Sequence, residues 1–139
     1  MDSNLESFLN LLAEAERAGG RVLHELTEEA TSLDLRELLK KVEHDEGYYA
    51  GQLAAHVRRL GGTPSNKTGD FVEKVRAVSG LVPKLELLNR GQGWVLRKIG
   101  EMLPSVADDH LGAYLRVMAE GHRVNISTLD AVIKRGAAA

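Results

Sequence analysis

Apolar side chains recur at intervals of three and four residues through four long segments, and that period restricts the chain to helices packed face to face. The first segment, about residues 5–29, carries Leu5, Leu9, Leu12, Leu23 and Leu26 on one stripe. The second, about 34–60, carries Leu35, Leu39, Val42, Leu53, Val57 and Leu60. The third, about 81–103, has Leu81, Leu85, Leu88, Ile99 and Leu103, and the fourth, about 105–135, has Leu111, Leu115, Met118, Ile126, Leu129 and Ile133. Pro64, Pro83 and Pro104 are the only prolines, and each stands near a segment end, where proline punctuates a helix without breaking it. No alternating strand pattern of useful length interrupts them. The fold class is therefore all-α. Asp34 followed by Glu37 reads as a capping-box start for the second helix, and Ser105 as the cap of the fourth. Arg135-Gly136 ends the pattern, and the alanines after it are expected to fray.

The connections set the order of the helices. Short links join the first helix to the second and the third to the fourth, so each pair is expected to form an antiparallel hairpin. The middle link, about residues 61–80, is long and holds a short helical stretch from Phe71 to Val78. Such a link reaches roughly 30 Å, the length of a 20-residue helix, and can carry the chain from one end of a bundle to the other.

Each apolar stripe is interrupted by one polar residue at its centre. Projected at about 100° per residue, Glu16, Glu46, Gln92 and His122 point inward from the first, second, third and fourth helices. Counted at about 1.5 Å per residue, they fall at one level to within roughly a turn. A buried carboxylate costs several kcal/mol unless it is paired or bound to a cation, so two of them with an imidazole and an amide require a reason. Glu43, three residues before Glu46, can reach the same level from one flank. Tyr49 lies on the other flank as a hydrogen-bond donor, and Asn125 holds the matching flank of the last helix. Asp45, nearly perpendicular to Glu46, reads as a residue at a helix boundary. Gly19, Gly20, Gly47, Gly91, Gly93 and Gly121 cluster beside these residues, which fits close helix approach and fits room for polar side chains or a small ligand.

Composition removes several function classes. The chain has no cysteine, which excludes disulfides, zinc knuckles and thiol nucleophiles. A net charge of −2 with scattered Lys and Arg, and an aromatic content of 4%, argue against a nucleic-acid surface. No apolar run approaches a bilayer span. Acidic residues occupy the start where a secretory signal carries basic ones, so a cytoplasmic location is the expectation. Gly61-Gly62 lacks the Lys-Ser/Thr of a phosphate loop. His44 projects outward to solvent. His24 and His56 lie at stripe edges and are read as partly buried, with an approach to each other at one end of the bundle as the other reading. His110 is expected to be exposed. Trp94, with Leu87 and Arg90, faces outward and marks either a homodimer contact or a surface covered by the helix around Phe71.

With Glu16, the run Glu43-His44-Asp45-Glu46, Gln92 and the run Ala119-Glu120-Gly121-His122 in place, the sequence resembles the ferritin-like superfamily, including the rubrerythrins. The stretches around Glu16, Glu46 and Gln92 look like a small bacterial member family without an assigned function. The resemblance implies a four-helix bundle of two antiparallel hairpins joined by a long crossover. It also implies a core metal site built from Glu and Glu-x-x-His motifs. This chain departs from the pattern: Glu43 stands where the second helix should offer its first Glu and Glu46 where it should offer His, the third helix has Gln92, and the fourth keeps His122 without its Glu. The resemblance thus implies one iron or manganese ion held by Glu16, Glu43, Glu46 and His122, with Gln92, Tyr49 and Asn125 as orienting neighbours, in metal handling or oxidative-stress chemistry. The alternative is a metal-free bundle acting through dimerisation or partner binding, in which protonated His122 pairs with Glu46 and Glu16. A third reading is a small-molecule binder using the glycine-lined space near Gln92 and His122.

Overall fold

A computed structural model describes residues 1–136, and the expected fraying of the terminal alanines lies outside them. The helices are α1 (Ser3–Glu29), α2 (Leu33–Arg59), the short α3 (Phe71–Arg76), α4 (Leu81–Met102) and α5 (Asp109–Lys134), with a 3-10 turn at Leu103–Ser105. There is no strand among the described residues, and no helix there is long and apolar enough to cross a membrane.

Two helix starts differ from the sequence expectation. Ser32, not Asp34, caps α2 by accepting the Leu35 N–H at 3.3 Å. Asp108, not Ser105, caps α5 by accepting the Leu111 N–H at 2.8 Å. Pro104 and Ser105 are used in the 3-10 turn, so the fourth long helix starts at Asp109. The reason is the same in both places: more than one Ser or Asp stands near the helix start, and the one that caps is the one whose oxygen meets the N–H three residues on. Gly61 (φ +88°) and Gly80 (φ +93°) turn the chain out of α2 and into α4, in backbone conformations that residues with a Cβ rarely adopt.

The apolar core falls into two clusters, and these define the direction of each helix. One holds Leu23, Leu26, Leu35, Leu39, Leu85, Leu88 and Leu129, from the end of α1, the start of α2, the start of α4 and the end of α5. The other holds Leu9, Leu12, Leu53, Val57, Ile99, Leu111 and Leu115, from the opposite ends of the same helices. Hence α1 and α5 run one way, and α2 and α4 the other.

The crossover from α2 to α4 must therefore travel the length of the bundle, and it climbs the outside of α1. Asn10 Nδ2 donates to the Thr63 carbonyl at 3.0 Å, Ser65 Oγ to Glu14 at 2.7 Å, and Arg17 to the Lys67 carbonyl at 2.8 Å. Farther along, Arg76 pairs with Glu25 at 2.6 Å and Lys84 with Glu29 at 3.0 Å. Positions 10, 14 and 17 lie on one face of a helix, so a single stripe of α1 anchors the link turn by turn.

Candidate metal centre

Between the two apolar clusters lies a polar layer. Glu16, Glu46, Gln92 and His122 are each at most 3% exposed. One ligand atom from each of Glu16, Glu46 and His122 lies within 4.8 Å of the others, a spacing that one ion could bridge. His122 Nε2 stands 2.8 Å from Glu16 Oε1 and 3.6 Å from Glu46 Oε2. Despite the short separation, neither oxygen nor the ring nitrogen has a hydrogen bond of acceptable direction.

The other ring nitrogen of His122, Nδ1, lies 3.0 Å from the Met118 carbonyl. A carbonyl only accepts, so Nδ1 carries a proton, and Nε2 is left either as a lone pair or as the second N–H of an imidazolium. Two lone pairs 2.8 Å apart repel, so the Nε2–Glu16 contact demands a proton or a cation.

The electrostatics make the same demand. Burial pushes the Glu16 carboxyl up to about 8, with the neighbouring Glu46 opposing. Glu46 is raised well above the ordinary carboxylate range, chiefly by burial and then by the charge of Glu16, with His122 opposing. Two carboxylates this close in a dry interior cannot both be anionic unless positive charge sits with them. Burial also pushes the Tyr49 hydroxyl up to about 12.

Two glycines make room for the layer. A methyl group on Gly19 would overlap Glu46 Oε1, so the carboxylate lies across bare α1 backbone. A methyl on Gly121 would overlap the Tyr49 hydroxyl, whose ring lies tilted against His122 with centroids 5.1 Å apart. Gly47 has no such neighbour within 4 Å.

Other sequence-predicted residues stand apart from this group. Glu43 is one-third exposed and pairs with His24 at 3.5 Å, because three residues before Glu46 the helix has turned toward the surface of α1. Asn125 is buried but faces Lys41 and Asp45, accepting from Lys41 Nζ at 3.0 Å and donating to Asp45 at 3.1 Å. Asp45 is thus a mid-helix link from α2 to α5, not a boundary residue. Gln92 Nε2 donates to Asn89 Oδ1 at 3.0 Å, and Asn89 donates to the Ile126 carbonyl and to Asp130 on α5. Asn89 escaped the sequence reading although it lies three residues before Gln92, on the same face. His24 and His56 do not meet. His24 is largely exposed, whereas His56 is buried at the far end beside His110 and Tyr114. Burial and the neighbouring Arg59 lower its pKa.

The residue set fits a divalent cation. Its donors are two carboxylates and one imidazole, and an ion would answer both the unpartnered atoms and the excess negative charge. A family model described as "Domain of unknown function (DUF6306)" matches residues 3–131. The chain belongs to that family. The matched DUF6306 region contains Glu16, Glu46, Gln92 and His122, so the whole polar layer lies inside it. No curated protein and no solved structure matches the chain significantly.

Proposed function

We propose that this DUF6306 protein is a metal-binding helical bundle of ferritin-like build. Its polar layer holds one iron or manganese ion between Glu16, Glu46 and His122, in metal handling or the response to oxidative stress. The observation that carries the reading is the set of three buried donor atoms within 4.8 Å of one another, none with a properly directed hydrogen bond. The order of helix directions and the long crossover support the ferritin-like build. The number of carboxylates supports one ion, because Gln92 and Asn89 bring no charge to the layer and Glu43 is taken by His24. A bound ion of this kind supplies Lewis-acid and one-electron chemistry. The chain's own residues contribute a dry, preset donor set: the Met118 carbonyl fixes the His122 ring, and Gly19 admits the Glu46 carboxylate.

The test is metal analysis of protein prepared without a chelating tag, followed by melting with added Fe(II), Mn(II) or Zn(II). About one equivalent should bind, and metal at 100 times its Kd should stabilise the fold by about 2.7 kcal/mol. Glu46→Gln and His122→Ala should abolish both effects. Unchanged stoichiometry in both variants would place the metal elsewhere, and no binding at all would leave the metal-free bundle as the reading.

A further inference from the structure

A cleft of about 500 Å³ opens between α1, α4 and the crossover. Its walls are largely apolar, with Leu11 and Ala15 on α1, Leu87 and Trp94 on α4, and Phe71 from the start of α3. Charged side chains such as Glu14, Lys74, Arg90 and Arg97 also line it. The Phe71 ring rests on the backbone of Gly91, 3.0 Å from where a Cβ would stand, so any larger residue at 91 would push this wall outward. The inner end reaches the polar layer, where Glu16, Glu46 and Gln92 line it.

Gln92 decides what the cleft would take. Its side chain is 3% exposed, and its amide nitrogen is already used on Asn89, yet its Oε1 has no hydrogen-bond partner. An unpaired buried acceptor is costly, and it is relieved only by a donor. The carboxylate oxygens beside it, Glu16 Oε1 and Glu46 Oε2, are also without hydrogen-bond partners. The inner end therefore holds an amide acceptor without a partner, Gln92 Oε1, behind a largely apolar wall long enough for a molecule of drug-fragment size.

We propose that this cleft is a binding site for a small, mainly apolar organic molecule with a single neutral hydroxyl at its inner end, a phenol or a medium-chain alcohol. The hydroxyl donates to Gln92 Oε1, and the apolar body lies against Trp94, Phe71 and Leu87. An anionic head is excluded, since it would bring another negative charge into the dry interior beside Glu16 and Glu46 and would supply no proton to Gln92 Oε1. Gln92 is not among the residues assigned to the ion, so the proposal stands whether or not the site is loaded.

The experiment uses the full chain treated with chelator, with metal binding measured separately, so that failure of one reading is not failure of the other. Trp94 is the only tryptophan and sits in the cleft wall, so its emission reports occupancy directly. The probes are 4-propylphenol, its methyl ether, which has the same body and no donor, and 4-propylbenzoate. The phenol should shift Trp94 emission and release heat in titration calorimetry, with the ether and the benzoate about tenfold weaker or worse. Gln92→Leu should bring phenol affinity down to that of the ether; it removes the unpaired acceptor and also the Nε2–Asn89 bond, so its melting curve is compared with the parent, and Ala15→Phe, which keeps Gln92, tests the cleft independently. Ala15→Phe should block all three by filling the cleft. Equal binding of phenol and ether, unchanged phenol affinity in Gln92→Leu, or no response to any probe would overturn the proposal. So would a dimer in sedimentation equilibrium that disperses on Trp94→Ala, since a second copy would then cover this face.

Discussion

Substituting Gly19 by alanine sets two opposed effects against each other at one atom. Inside an exposed helix Gly→Ala gains about 0.5–1 kcal/mol, because alanine loses less backbone entropy. At Gly19 the new methyl would occupy the place of Glu46 Oε1. Glu46 is 2% exposed, and its carboxylate is confined by Glu16 and His122, so it cannot swing into solvent to make way. Overpacking of this kind costs about 1–3 kcal/mol. The net result is a destabilisation of about 1–2 kcal/mol, and displacement of Glu46 should weaken metal binding about 10–100-fold. Gly47→Ala is the control, with nothing within 4 Å of the added methyl, and it should gain about 0.5–1 kcal/mol and leave metal affinity alone. The two variants should thus differ by about 2 kcal/mol or more, a gap of roughly 6–10 °C in melting temperature for a chain of this size. Urea unfolding of the metal-free proteins gives the difference, and titration with Mn(II) gives the affinity. If Gly19→Ala is stabilised as much as Gly47→Ala and keeps its metal affinity, the Glu46 carboxylate does not lie across α1, and the polar layer as described is wrong.

Gly121→Ala should cost about 1–3 kcal/mol because its methyl meets the Tyr49 hydroxyl, and Tyr49→Phe in the same chain should recover most of that loss; equal melting of the single and double variants would refute the contact. Acid should weaken the α2–α5 corner. The Arg59 guanidinium and the Leu111 N–H hold Asp108 down to about 2 from the ordinary 3.8, so its contribution is present above pH 3.8 and is lost as pH falls through 2. Asp108→Asn keeps a capping oxygen and removes the charge, so its urea midpoint should fall less than that of the parent between pH 4 and pH 2; parallel curves would show that the Arg59 pair contributes nothing.

The helices and the residues of the polar layer were legible in the sequence for one physical reason: burial along a helix repeats with the helix. Glu16, Glu46, Gln92 and His122 stood out because each occupies a position where the period demands an apolar side chain. Glu43 was not legible in the same way. Its angular offset shows that it leaves the core, but only the register of α1 against α2 shows that it meets His24. His24 and His56 illustrate the same limit. Each lies near the C-terminal end of its helix, and in an antiparallel hairpin those ends are at opposite poles, so no approach was available. Space near Gln92 and a helix around Phe71 beside Trp94 were legible as alternatives, but the shape of the cleft was not, since it depends on the crossover that runs along α1 and lays Phe71 over Gly91.

The division of the core into two apolar clusters has an energetic meaning. Replacing a buried ionic group by packed apolar residues is often neutral or stabilising, so a chain under selection for stability alone has little reason to keep Glu16, Glu46 and His122 in contact. It also keeps glycine at positions 19 and 121, each at a cost in helix propensity, and both serve this layer. The proton is the minimal occupant that relieves it, because burial, even with Glu46 opposing, pushes the Glu16 carboxyl up to about 8. A divalent cation relieves it further, since it neutralises both carboxylates at once and takes the Nε2 lone pair that a single shared proton leaves off-axis. Proton and metal therefore compete for the same three atoms, and the stability given up in forming the layer is recovered most fully by the occupant of higher charge.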